Sequence, residues 1–132
     1  MIDLENFIQI VADEEDLLPE VFFRDLNGGV IVQEDAYLHP DRVADDLYIM
    51  GTYTRNAAGR QITLYYGSFA RTMGYADREQ IQMKVREVLR HEFRHHLEFL
   101  SGIAGRKSLV AEDEKSMRDY FAMHGWKKPK RG

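Results

Sequence analysis

Apolar residues return at helical spacing in the first segment, as Leu4, Phe7, Ile8 and Val11, and predict a helix there. The acidic run Asp13-Glu14-Glu15-Asp16 is expected to separate it from a second short helix. Pro19 suits the first turn of that second helix, and Asn27-Gly28-Gly29 ends it, because glycine tolerates the left-handed conformation that closes helices. Val30-Ile31-Val32 then reads as a strand and His39-Pro40 as a turn. From Leu47 to Tyr53 and from Ile62 to Tyr66 the residues are mostly β-branched or aromatic, and Asn56-Ala57-Ala58-Gly59 supplies turn chemistry between them, so the two runs predict a hairpin. In its second strand Ile62, Leu64 and Tyr66 are expected to face the core, with Thr63 and Tyr65 outward and Gly67 or Gly74 ending the sheet region. Asp77 is a suitable N-cap for a long helix reaching about Leu100, uninterrupted by Pro or Gly and followed by Ser101-Gly102. A last helix is predicted from Ser108 to His124, ended by Gly125. No repeat or linker divides the chain, which reads as one domain over 1–126 with an unpacked basic tail over 127–132.

The long helix carries His91-Glu92-Phe93-Arg94-His95, an H-E-x-x-H match. Imidazoles four residues apart on a helix lie one turn above each other and can reach one metal ion, with the intervening Glu beside that ion's open position. On a wheel with Ile81 at zero, Val85, Val88, Leu89 and Phe99 fall within about 80° of it, His91 and His95 near about 280° and 320°, and Glu92 near about 20°. The two histidines thus border the buried stripe, and Glu92 points further inward. His96, near about 60°, lies inside the apolar stripe and reads as a buried histidine held by hydrogen bonds rather than as a ligand.

Composition narrows the chemistry. The chain has no cysteine among its 132 residues, so thiolate zinc sites, iron–sulfur clusters, disulfide scaffolds and cysteine nucleophiles are excluded, and any metal must be held by His, Asp or Glu. A third ligand is sought in Glu112-Asp113-Glu114, on the predicted last helix. There Leu109, Val110, Met117, Tyr120 and Phe121 define an apolar face with Asp113 near its centre. A carboxylate in that position is costly unless paired or metal-bound, which selects Asp113, with Glu112 as its rival. Acidic residues in a helix's first turn otherwise simply complement its dipole, which accounts for Glu114. The N-terminus lacks a basic start and an apolar run, and no stretch is long enough for a membrane span, so a cytoplasmic location is expected. A net charge of -4 argues against a dedicated nucleic-acid binder. Arg86, Arg90 and Arg94 do share the solvent side of the long helix, but without interleaved aromatics and with an Arg94 to Glu98 spacing that favours an ion pair.

The hairpin leading through Ile62-Thr63-Leu64-Tyr65-Tyr66-Gly67 into the long helix, the doubled histidine of His91-Glu92-x-x-His95-His96 and the later acidic pair resemble the small bacterial zincin-like metallopeptidases. The resemblance implies an α+β, zincin-like fold: a small, mostly antiparallel or mixed sheet packed on a long active-site helix with flanking helices. It also implies a zinc site on the two motif histidines and a downstream acidic residue, and peptidase activity. Members often place a glycine turn soon after the doubled histidine, whereas here Leu97-Glu98-Phe99-Leu100 prolongs the helix.

The expected function is hydrolysis of peptide bonds by a zinc-activated water, with His91, His95 and Asp113 as ligands and Glu92 as general base and then proton donor. A peptide or protein substrate is expected to add beside the exposed face of 62–66, with Tyr65, Tyr66 and Tyr120 as candidate oxyanion partners. The alternative is a zinc-binding interaction or regulatory module on the same scaffold that cleaves nothing.

Overall fold

Asp3 starts the first helix by accepting a hydrogen bond from the Asn6 amide, and α1 then runs over Leu4–Asp16. The computed structural model describes residues 1–102 of the chain. The acidic run does not break α1. Its buried stripe is Phe7, Ile10, Val11 and Glu14, so the helical spacing carries on into a carboxylate. Glu14 is buried because Arg86 and Gln82, on the long helix packed against α1, both donate to it. Pro19 precedes only a single 3-10 turn, Glu20–Phe23, shorter than the helix expected there.

The strands are β1 (Val30–Gln33), β2 (Tyr37–Leu38), β3 (Tyr48–Ile49), β4 (Gly51–Asn56) and β5 (Gly59–Tyr65). The main sheet has the order β1-β5-β4, with β1 parallel and β4 antiparallel to the central β5; β2 and β3 form a separate antiparallel ribbon. The strand expected over 47–53 therefore divides at Met50, its first part leaving for the ribbon. The hairpin turn lies where predicted: the Asn56 side chain accepts from the amides of Ala58 and Gly59, and Gly59 takes a φ of 140° that favours glycine.

The inward positions Ile62 and Leu64 are fully buried. Thr63 is buried as well, against expectation, because β5 is central and Thr63 sits between Ile31 and Thr52, with the Gln61 amide donating to its hydroxyl. Tyr66 leaves the strand and opens α2 (Tyr66–Thr72), its hydroxyl donating to the Ile2 carbonyl and its ring edge-on to Phe7. Gly67 does not end the sheet region but lies inside α2, where a Cβ would sit 2.3 Å from the Ala36 nitrogen; it lets the β1–β2 connection cross the helix.

The long helix α3 spans Arg78–Ser101, opened by a reciprocal capping box between Asp77 and Gln80 and closed by Gly102 at a φ of 71°. Ile81, Val85, Leu89 and Phe93 meet Phe7, Ile10, Ile62, Leu64 and Phe69 in the core. Phe93 is covered by Phe22 and Phe23. Phe99, expected in the buried stripe, is 40% exposed, lying under the guanidinium of Arg55 at 4.3 Å rather than within the core. The helix predicted over 108–124 and the tail over 127–132 lie outside the described residues. Among the described residues no helix is long and apolar enough to cross a membrane.

The hydrogen bond from Arg86 holds the Glu14 carboxyl below the usual carboxylate range against the opposing effect of burial. A depressed carboxyl stabilises the fold above its unfolded pKa, and that contribution is lost as pH falls through the folded value. Urea unfolding of wild type and Glu14→Gln is therefore expected to show a wild-type advantage near pH 7 that shrinks as pH falls below about 4.5. An advantage independent of pH would refute this role for the pair.

Candidate active site

His91 and His95 project from successive turns of α3 with ring centroids 5.0 Å apart and ring planes at 81°. Both are half-buried, at the margin of the helix stripe, as their wheel positions predict. Glu92 is 7% exposed and points toward the sheet. The two rings lie edge to face one turn apart, and the Glu92 carboxylate lies between helix and sheet, against Gly51.

The first residues of β4 bring the sheet to this point. Gly51 lies directly on the helix: a Cβ there would stand 2.7 Å from Val88 Cγ1, 3.3 Å from Glu92 Cγ and 3.5 Å from Glu92 Oε2. A cleft of about 560 Å³ opens beside this contact, lined by Ile49, Met50 and Gly51 on the strand side and by Glu87, Val88, Arg90, His91, Glu92 and Arg94 on the helix side. The absence of a side chain at Gly51 is thus a steric requirement of the cleft wall. Gly51→Ala should destabilise the protein by about 1–3 kcal/mol through overpacking, and Val88→Ala in the same chain should recover part of that loss. Equal urea midpoints for Gly51→Ala and wild type would show that the strand is not held this closely.

His96 follows the second motif histidine and turns the other way. It is fully buried. Its Nε2 lies 2.7 Å from the Arg24 carbonyl oxygen and its Nδ1 2.6 Å from the Tyr53 hydroxyl. A carbonyl only accepts, so Nε2 carries the proton and Nδ1 accepts from Tyr53. Burial pushes the Tyr53 phenol up from its ordinary value, with Arg55 and Arg60 opposing, so the hydroxyl stays a donor. The histidine is held by hydrogen bonds, as its place in the apolar stripe implied.

His91 and Glu92 line the cleft, while His95 sits one turn along, ring against ring with His91 and outside the cleft lining; Asp113, its rival Glu112, and Tyr120 lie outside the described residues. Among the described residues no three metal-ligating side chains converge. Two imidazoles one turn apart are a fitting nitrogen pair for zinc. Tyr65 and Tyr66 do not line the cleft. Tyr65 packs edge-on against Tyr37 and bonds Thr52, and Tyr66 bonds the Ile2 carbonyl. Gly51 and Tyr53 were not singled out by the sequence. Their only signals were a glycine at a strand start and an aromatic in a strand.

Residues 34–105, more than half of the chain and spanning β2 to the end of α3, match the family model for zincin-like metallopeptidases. Among solved structures, a conserved hypothetical protein from Thermo thermophilus is 34% identical, with a TM-score of 0.64, over 76% of this chain and 98% of its own. No curated protein matches. Asp113 and Glu112 fall beyond the matched span, and the helical prolongation through Leu97–Leu100 is real, since α3 continues to Ser101. With its small mixed sheet on a long helix that carries His91-Glu92-x-x-His95, this chain belongs to the zincin-like metallopeptidase family.

Proposed function

We propose that this chain is a zinc-dependent peptidase in which His91, His95 and Asp113, with Glu112 as rival, hold the metal and Glu92 is the general base. The observation that carries the reading is the buried Glu92 carboxylate, fixed against Gly51 and lining the same cleft as His91, one turn from its partner His95. Zinc at such a site supplies a Lewis acid that polarises a peptide carbonyl and activates water. Glu92 takes the proton of the attacking water and returns it to the nitrogen of the departing amine. Met50 and Gly51 lie on the cleft wall, so β4, which begins at Gly51 and is one of the two edge strands of the sheet, is where an extended substrate aligns. The strand first expected in that role, 62–66, is excluded because β5 is bonded on both sides.

Elemental analysis tests the metal part of this reading. The full-length protein should carry about one zinc per chain, and His95→Ala should lose it while keeping wild-type circular dichroism. Zinc retained by His95→Ala would overturn the ligand assignment. A zinc-loaded protein that cleaves nothing in a diverse peptide library would instead make this chain a binding module on a peptidase scaffold.

A further inference from the structure

Arg86, Arg90 and Arg94 recur every four residues along α3, and the fold treats them differently. Arg86 is committed to Glu14. Arg90 acts on the Glu14 carboxylate only through its charge, less strongly than the bonded Arg86, and Arg90 and Arg94 are exposed. Both line two depressions at once. One is the cleft that contains His91 and Glu92; the other is a groove of about 340 Å³ between α3 and the segment after α1, lined by Leu17, Leu18, Phe22, Phe93 and Leu97. The rim acid Glu87 is bonded to Lys84 at 3.2 Å, and Arg90 and Arg94 are the cations that line both depressions.

We propose that Arg90 and Arg94 select the substrate of this cleft: they bind the carboxylate side chain of an extended peptide whose neighbouring bulky apolar residue enters the groove beside Leu17 and Leu97. The proposal rests on the peptidase reading above. Planar guanidinium groups pair with carboxylates in two-point geometry, which lysines do not provide. The same two arginines line both the cleft and the apolar groove, so a chain that runs from one depression into the other passes them with a side chain rather than ending on them. A single-stranded nucleic acid would require exposed stacking rings on the ridge, and Phe93 is buried.

Binding and cleavage can be read separately. Fluorescent decapeptides, acetylated and amidated, would carry Glu-Leu, Gln-Leu, Lys-Leu or Glu-Ser at the centre, with a fifth carrying Gln-Leu and a free C-terminus. Anisotropy titrations use full-length Glu92→Gln protein, which keeps any bound peptide intact. The Glu-Leu peptide should bind about 5-fold or more tighter than Gln-Leu, with the Lys-Leu and free-terminus peptides no better than Gln-Leu, and added salt should shrink the gap. Arg90→Gln with Arg94→Gln should abolish the Glu preference. Leu17→Ser, at a side chain already 61% exposed, should weaken Glu-Leu but not Glu-Ser. Equal binding of Glu and Gln peptides, a preference unmoved by the arginine changes, or tightest binding of the free terminus would overturn the proposal. If wild type cleaves peptides regardless of charge, the peptidase reading stands and the selectivity falls. If Glu-Leu is preferred yet never cleaved, the reverse holds.

Discussion

Glu92→Gln should lower hydrolysis by about 10²–10⁴-fold while leaving about one zinc per chain, since a general base contributes in that range and metal binding does not require it. The substitution keeps the shape of the side chain. That matters because Gly51 and Val88 leave no slack there: the strand backbone is close enough that a single methyl group at Gly51 would collide with Val88 and press on Glu92. The amide therefore occupies the place of the carboxylate but cannot accept the water's proton. Activity on a library-derived substrate, metal content and thermal unfolding, measured together, separate the outcomes. If zinc falls along with activity, Glu92 is a ligand or a structural residue and the proposed proton transfer is wrong. If activity survives, another group is the base.

The parts of this site that were legible in the sequence are those fixed by local periodicity. His91 and His95 share a helix face because four residues make about one turn, and Glu92 turns inward because it falls on the stripe of Ile81, Val85 and Leu89. The turn at Asn56–Gly59 is likewise local chemistry. What could not be read depends on partners far along the chain. Glu14 sits in a run of four acids, and Arg86 and Gln82, 72 and 68 residues away, make it a buried residue rather than part of a helix break. The division of the strand at Met50 depends on β2 claiming Tyr48 and Ile49. Gly51 matters only because Val88 and Glu92 face it across the cleft wall. Thr63 is buried between its neighbours Ile31 on β1 and Thr52 on β4, which no alternation within 62–66 reveals.

Replacing His96 with Ala should destabilise the fold by about 3–5 kcal/mol, the range for emptying a large buried side chain and stranding its hydrogen-bond partners. The ring is fully buried and both nitrogens are bonded, one to β4 through Tyr53 and one to the segment after α1 through Arg24. Together with the contact of Gly51 on Glu92, the Tyr53 bond attaches β4 to α3 at two points: residues two apart on the strand meet residues four apart on the helix. These spacings match, since two strand residues rise about 6.8 Å and four helical residues about 6.0 Å, so one clamp supports the other. Tyr53→Phe should cost less, about 1–2 kcal/mol, because it removes a single hydrogen bond and leaves the ring packed against His96. The loss in the double variant should fall short of the sum, as expected for a shared contact. His91→Ala and His95→Ala, at half-buried positions, should lose metal with far smaller structural cost. This sorts the doubled histidine by physics: His95 is read out in zinc content and His96 in urea midpoint. A His96→Ala protein that unfolds like wild type but has lost its zinc would reverse the two roles.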